Sequence, residues 1–474
     1  NGQLIIINAQ KGDFLAQMVI DKKGDLVIWN KDGNFHATNS SLEPYKLKYD
    51  NRLFSTQSVE LTKKRPDIIL KSLGFTSPEL LAIYEEAIAK RQLLNTETSV
   101  IDYANFPFVD LASLHESDTE NVMDANFSNY HKGNEENLLE VSINGVAERY
   151  ALRDSLNLPI HLAKGSNLVA YGLVNPTYGS YPKQELVIQS EKEAINKNLI
   201  VCVLSVSTYL DETKSLTYAV KDGQDVLNMM NQQKAEYDTV ITHTLYNKDV
   251  TLIKIDSMFR NISATEHDKV VFFLSGHGLL DDDLNFYFAT YDIDFKNPKG
   301  KGLPFSTLQR YISNFTSPQE LLLIDACQSG LADASKRLKD TSPSKPGITP
   351  IREHSFTGKG AEEMVSENEI TLQNSFVLMR ELFSDLSSNS GVETITAASG
   401  DSWALESSQW KNGAFTFVLK KALINFEADE NKDGIISIKE LKNYLLTEVE
   451  ILTNGAQRAT SRSANKGISW NIWE

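Results

Sequence analysis

Three uninterrupted apolar runs constrain this chain more than any other feature: "LIVCVL" at 199–204, "VVFFL" at 270–274 and "LLLI" at 321–324, the last leading into "DAC". Each is too short for a buried helix and lacks the polar alternation of a half-exposed strand. Each therefore predicts a strand covered on both faces. The stretches between them, among them "YAVKDGQDVLNMMNQQ" and "DVTLIKIDSMFRNI", carry helical spacing. Buried strands alternating with amphipathic helices predict a mostly parallel sheet flanked by helices. In such sheets chemistry gathers beyond the carboxyl ends of the strands.

A chain of 474 residues exceeds one ordinary domain, and about two to four are expected. Its formal net charge of −16 repels phosphate backbones and anionic lipid, so neither nucleic acid nor membrane is an expected partner. Two cysteines, Cys202 and Cys327, exclude a disulfide framework. No segment approaches the roughly 18–20 apolar residues of a membrane span, and a cytoplasmic location is expected. The chain opens on Asn1 within a strand-like pattern, which implies a piece of a longer protein.

The front half reads as mostly-β modules. Residues 1–60 alternate short strands with turn signals such as "KKGD" and "NKDGN". Residues 61–97 read as helical, with "TSPEL" opening a helix whose Leu80, Leu81, Ile83, Tyr84, Ala87 and Ile88 share a face. Residues 98–137 are polar and weakly patterned, and predict a linker. Residues 138–190 alternate again, as in "LLEVSINGVAERYAL", and predict a small sandwich.

The chemistry lies in "SGHG" and "DACQSG", at the ends of two of the buried strands. A thiolate is the nucleophilic form of cysteine, and imidazole titrates near neutrality. His277 as base and Cys327 as nucleophile form a dyad. The fifty residues from His277 to Cys327 suffice for one excursion that returns the chain beside itself. Gly276 and Gly278 would let a substrate backbone approach. The N–H groups of Gly278 and Cys327 would receive the oxyanion. Cys202 reads as core, and the remaining histidines as structural. No third side chain of a triad is identifiable.

On these motifs, residues 198 to about 425 resemble the caspase-like cysteine peptidases of the bacterial metacaspase/orthocaspase branch. "LIVCVLSVSTYLDETKSLTYAVKDGQDV" is similar to that family's first strand, loop and helix, and "ETITAASGDSWALE" with "NGAFTFVLKKAL" to its late strand and closing helix. The resemblance implies an α/β caspase-like domain over 196–455. In front of it, "DLVIWNKDGNFHAT" resembles the last blade of a WD40-type propeller, and 138–190 an Ig-like domain.

The resemblance also implies a substrate preference. Asp325 stands two residues before Cys327, where animal caspases carry glutamine in a pocket for aspartate. A carboxylate there pairs with a substrate Arg or Lys. Asp222 matches the second acidic pocket residue of metacaspases, and Ser402 and Trp403 would line the groove for an extended peptide. The expected partner is a protein substrate with a basic residue before the cut, with regulation through the front half. The polar stretch at about 331–372 lies where caspases are processed. It carries Lys336, Arg337, Lys345, Arg352 and Lys359, so self-cleavage is expected. "DENKDGIISIKE" at 429–440 fits an EF-hand loop, with Asp429, Asn431, Asp433, Ile435, Ser437 and Glu440 as calcium ligands around Gly434. A second acidic cluster, Asp281–Asp283, follows the histidine. The resemblance links the activity to regulated cell death and defence. The alternative from another class is an inactive caspase-like scaffold that responds to calcium. A third is another cysteine hydrolase of the same fold, separase-like or gingipain-like.

Overall fold

A computed structural model describes residues 3–20, 26–37, 46–49, 52–55, 63–74, 78, 81–82, 84–85, 88–89, 108–116, 122–131, 137–143, 146–152, 156–162, 165–175, 179–180, 183–190, 197–235, 237–265, 267–281, 285–315, 317, 319–328, 357–358, 392–397, 404–462 and 470–474. The chain divides into one unit built mainly on Asn1–Lys192 and a second on Glu193–Arg380, Asn389–Ala464 and Ser469–Glu474.

In the first unit, β1 (Gln3–Ile7), β2 (Phe14–Ile20), β3 (Leu26–Trp29) and β4 (Phe35–Ala37) form an antiparallel meander. Helix α1 (Pro66–Leu73) starts with proline in its first turn and ends at Gly74 in the left-handed conformation. Its Ile69 packs with Ala16 and Ile28 of the meander. Strands β5 (Lys46–Tyr49) and β6 (Arg52–Ser55) make a hairpin.

Behind them, β7 (Phe108–Glu116), β8 (Val122–His131) and β11 (Leu156–His161) form one sheet. A second contains β9 (Leu138–Ile143), β10 (Val146–Ala151), β12 (Gly165–Asn175), β13 (Gly179–Ser180) and β14 (Gln184–Ser190). Val109, Ile160, Leu139 and Leu173, drawn from both sheets, share one core. The linker expected over 98–137 is therefore corrected: it holds β7 and β8, and the sandwich begins before residue 138. The pairing of β7 with β8 slips twice, between Phe108 and Asp110 and between Leu111 and Ser113. Each bulge resets the two-residue period that marks a strand in sequence.

In the second unit, β15 (Asn198–Ser205), β16 (Thr239–Tyr246), β17 (Lys269–Leu280), β20 (Gln319–Gln328), β22 (Glu393–Thr396) and β26 (Thr460–Arg462) lie in the order β16-β15-β17-β20-β22-β26. The first four junctions are parallel, and β26 closes the row antiparallel. Strand β18 (Phe286–Phe288) folds back on the end of β17, and β19 (Leu303–Pro304) pairs with it. The helices are α2 (Ala219–Met230), α3 (Leu252–Arg260), α4 (Phe305–Ile312), α5 (Ala414–Ile424) and α6 (Ile438–Leu452). Val203, Phe273 and Leu323 face α2, α5 and α6 in one core, while Phe272 stacks on Phe259 of α3 and Phe315. A fully buried side chain of this size stabilises the fold by about 1.5–3 kcal/mol. Helix α2 lies close on β15 because position 223 is glycine: a Cβ there would meet Ser205 Oγ at 2.2 Å.

Short pairings complete the unit. They join β21 (Thr357–Gly358), β23 (Leu405–Ser407) and β24 (Asn412–Gly413), and also β25 (Ile436–Ser437) with β27 (Asn471–Trp473). Trp470, Ile472 and Trp473 are buried in the main core, so the domain expected to end near 455 runs to the last residues. Among the described residues, no helix is long and apolar enough to cross a membrane.

Candidate active site

The parallel register of β17 on β20 sets Ser275 against Asp325, His277 against Cys327 and Gly278 against Gln328. Neighbouring strands lie about 4.8 Å apart, so the register brings the two backbone positions together at the carboxyl end of the sheet. Strand β15 has ended by then, at Ser205 opposite Ser275. The loop that follows it, 206–218, turns over the site.

His277 is 2% exposed. Its Nε2 lies 2.8 Å from the main-chain oxygen of Lys214. A carbonyl oxygen only accepts, so Nε2 carries the proton, and the lone pair of the neutral ring falls on Nδ1. The backbone N–H of His277 donates to Tyr209 Oη at 2.9 Å. The Tyr209 and Phe295 rings lie 5.1 and 5.4 Å from the imidazole, Phe295 edge-on at 84°. Sequence reading finds no third triad member. The carbonyl of Lys214 takes the orienting place, and a main-chain atom leaves no letter in a sequence. Gly276 also differs from expectation. A Cβ there would meet Tyr209 Oη at 2.8 Å and Phe288 Cζ at 3.3 Å, so its bareness admits a side chain of the protein itself rather than a substrate backbone.

Asp325 is completely buried, and its Oδ2 accepts from Thr416 Oγ1 at 2.7 Å. Asp222, also fully buried, accepts from Asn412 Nδ2 at 2.9 Å and from the N–H of Gly413 at 3.0 Å. Gly413 is the N-cap of α5 and Thr416 lies in its first turn. Both carboxylates thus gather at one helix N-terminus, whose partial positive charge favours them. Beside them, Glu406 accepts the N–H groups of Thr217 and Tyr218 at 2.9 and 3.1 Å, capping α2, whose own N-cap residue supplies no side chain. Burial raises the Asp225 carboxyl, but hydrogen bonds from Lys221, Lys420 and Asn412 outweigh it and hold the group below its ordinary range. Thr416, Asn412 and Glu406 were not singled out in sequence. The one available signal for Thr416 was its place in the first turn of the helix begun by "NGAFT". Gly278 is buried between β18 and β20. Ser402 and Trp403 lie outside the described residues, as does the processing stretch except for Thr357–Gly358.

Asp281 is held by Asn285 and Tyr287. Burial raises its carboxyl, and these bonds with nearby Lys299 lower it further than burial raises it. Asp282 and Asp283 lie outside the described residues. In loop 429–440, Gly434 turns with φ 83°. Asp429 Oδ2 accepts the Gly434 N–H at 2.9 Å, and Asp433 Oδ1 that of Ile435 at 2.9 Å. Glu440 forms a capping box with Ser437 at the start of α6. The loop pairs, through β25, with β27 rather than with a second loop of its kind. Among the described residues no three His, Cys, Asp or Glu side chains converge on a point that would hold a metal. The oxygen donors are of the type calcium takes, while Glu440 is engaged by Ser437 in the capping box.

The family pattern described as the caspase domain matches residues 199–464. No curated protein matches the chain. Caspase-1 from Spodoptera frugiperda is similar in structure at 11% identity and a TM-score of 0.34, over 57% of this chain and 86% of that one. A polysaccharide deacetylase from Bacillus cereus follows at 7% identity and a TM-score of 0.14, over 49% of this chain and 72% of that one. Neither likeness is close enough to bear on the site.

Proposed function

We propose that this chain, which belongs to the caspase-domain family, is a cysteine endopeptidase that cleaves proteins after arginine or lysine. The observation that carries the reading is the register pairing His277 with Cys327 while the Lys214 carbonyl fixes the proton on Nε2. Nδ1 of His277 accepts the thiol proton of Cys327, and the thiolate adds to the scissile carbonyl. The N–H groups of Gly278 and Cys327 receive the oxyanion. As the intermediate collapses, the C–N bond breaks and the proton passes from Nδ1 to the departing amine. Water, deprotonated by the same Nδ1, then hydrolyses the thioester and frees the acid and the thiol. Asp325, with Asp222 behind it, gives the pocket a negative floor that a guanidinium or ammonium matches. Ser402 and Trp403 are proposed to line the groove.

Fluorogenic peptides ending in Arg, Lys or Asp test this directly. The Arg and Lys peptides should be cleaved by the wild type and not by Cys327→Ala. Turnover of the Asp peptide alone would overturn the basic preference. Labelling by a thiol-reactive peptide mimic separates the peptidase from an inactive scaffold.

Three further proposals attach to the same reading. The basic stretch 331–372 is a site of self-cleavage, so wild type should split on incubation and Cys327→Ala should not. Loop 429–440 binds calcium through Asp429, Asn431, Asp433, the Ile435 carbonyl, Ser437 and Glu440. Calcium should then raise the melting temperature of wild type but not of Asp429→Ala. The strand-rich front half, read as a propeller blade and an Ig-like sandwich, engages a regulatory protein partner.

A further inference from the structure

We propose that Tyr209 is a positioning residue for the catalytic imidazole, its hydroxyl occupying space that only a glycine at position 276 leaves open. This role rests on the reading of His277 as the base. A base without an orienting carboxylate must be held by other groups, since a misplacement of about 1 Å can cost a hundredfold in rate. Here the histidine is held from several sides. Its ring is fixed at Nε2 by the Lys214 carbonyl, and lies against Tyr209 and Phe295. Its backbone is fixed at the N–H by Tyr209 Oη, just past the point where β15 ends.

Tyr209 and Lys214 lie on the same loop, and that loop is itself fixed. Ser207 and Thr208 donate their N–H groups to Asn247 Oδ1 at 2.9 and 3.0 Å. Leu210 donates to the Tyr291 carbonyl at 2.9 Å, and Leu216 to that of Ser207 at 2.7 Å. Tyr209, 2% exposed, is thus a rigid post and not a mobile lid. Phe295 meets it edge-on at 74° and closes the far side. An aromatic present only for packing would not need a hydroxyl at this place.

The relation between the two residues makes the test sharp. Tyr209→Phe keeps the ring and loses the hydroxyl. It should lower kcat about tenfold and leave KM within about twofold. Gly276→Ala drives a methyl into Oη and should cost about a hundredfold in kcat. In the double variant the oxygen is gone but the strain at φ 159° and the contact with Phe288 remain, so activity should recover only in part. A Tyr209→Phe enzyme with wild-type kcat overturns the proposal. A second measurement does not depend on turnover. Proton–nitrogen spectra of the full chain carrying Cys327→Ala should show His277 as a single Nε2–H tautomer, and adding Tyr209→Phe should shift and broaden the ring resonances as the imidazole loosens, while the Lys214 carbonyl keeps the tautomer. An unchanged spectrum also overturns the positioning role. If the wild type cleaves no peptide, the peptidase reading falls, and the spectra still decide what Tyr209 does.

Discussion

Two carboxylic acids stand on the same central strand, β20, both sealed from water, in opposite circumstances. Asp325, at the carboxyl end, takes a hydrogen bond from Thr416 in the first turn of α5. Glu320, near the amino end beside Val270, is 1% exposed, and among the described residues neither of its oxygens has a hydrogen-bond partner. Burial alone pushes the Glu320 carboxyl well above its ordinary range. The carboxyl end of the sheet is furnished for charge, with helix N-termini, hydroxyls and amides arranged to hold it. At Glu320 the sheet offers packing alone and accepts the acid in its neutral form, although Asp268 and Glu393, also near the amino ends, are held by Asn198 and Thr265 and by Lys442.

The largest expected effect follows from removing the charge at the furnished end. Asp325→Asn keeps the shape and an oxygen for Thr416, so the fold should hold. Without the charge, kcat/KM for Arg-terminated peptides should fall about a hundredfold or more. Turnover within a few-fold of wild type would show that the floor of the pocket lies elsewhere.

The next effect is on stability. Glu320→Leu replaces an unpartnered acid with a hydrocarbon of similar size. It should stabilise the second unit by about 1–3 kcal/mol at neutral pH. The sign depends on pH. Below the unfolded-state value of about 4.3 the acid is neutral in both states and imposes no ionisation cost. As pH rises above that value, the unfolded chain releases the proton while the fold retains it, so wild-type stability falls until the raised folded value is passed. Melting curves from pH 4 to 8 should therefore diverge with rising pH. Curves that run parallel would mean that Glu320 has found a partner.

The same contrast shows what the sequence discloses. The unbroken runs around Val203, Phe273 and Leu323 announced the central parallel strands, because a strand buried on both faces has no polar alternation to hide it. Strands β7 and β8 stayed concealed, because two bulges shift their alternation in mid-strand. The placement of His277, Cys327 and Asp325 near the ends of neighbouring buried strands was legible through the apolar runs that precede them. Tyr209 was not, since one tyrosine in a polar loop carries no period. Lys214 was not, since it contributes a main-chain oxygen. Thr416 meets Asp325 across 91 residues of sequence, a pairing that only the folded chain makes.

The smallest expected effect comes from a carboxylate at the furnished end that is partly open to water. Asp225 is bonded by Lys221 at 2.6 Å, Lys420 at 2.8 Å and Asn412 at 2.8 Å. Its side chain is 18% exposed and those of the lysines 40% and 30%, so solvent screens the pairs. Asp225→Asn should cost only about 0.5–1 kcal/mol at neutral pH. Because the folded carboxyl lies below its unfolded value, the contribution is complete above about pH 4–5 and vanishes as pH falls through the folded value. The melting difference between wild type and Asp225→Asn should shrink toward acid, whereas that between wild type and Glu320→Leu should shrink in the same direction with the opposite sign. Partnered and unpartnered acids in one unit would then tilt the stability curve in opposed directions. Should Asp225→Asn instead gain on wild type as pH rises, the lysines would not be holding the charge, and the distinction between partnered and unpartnered acids would lose its electrostatic basis.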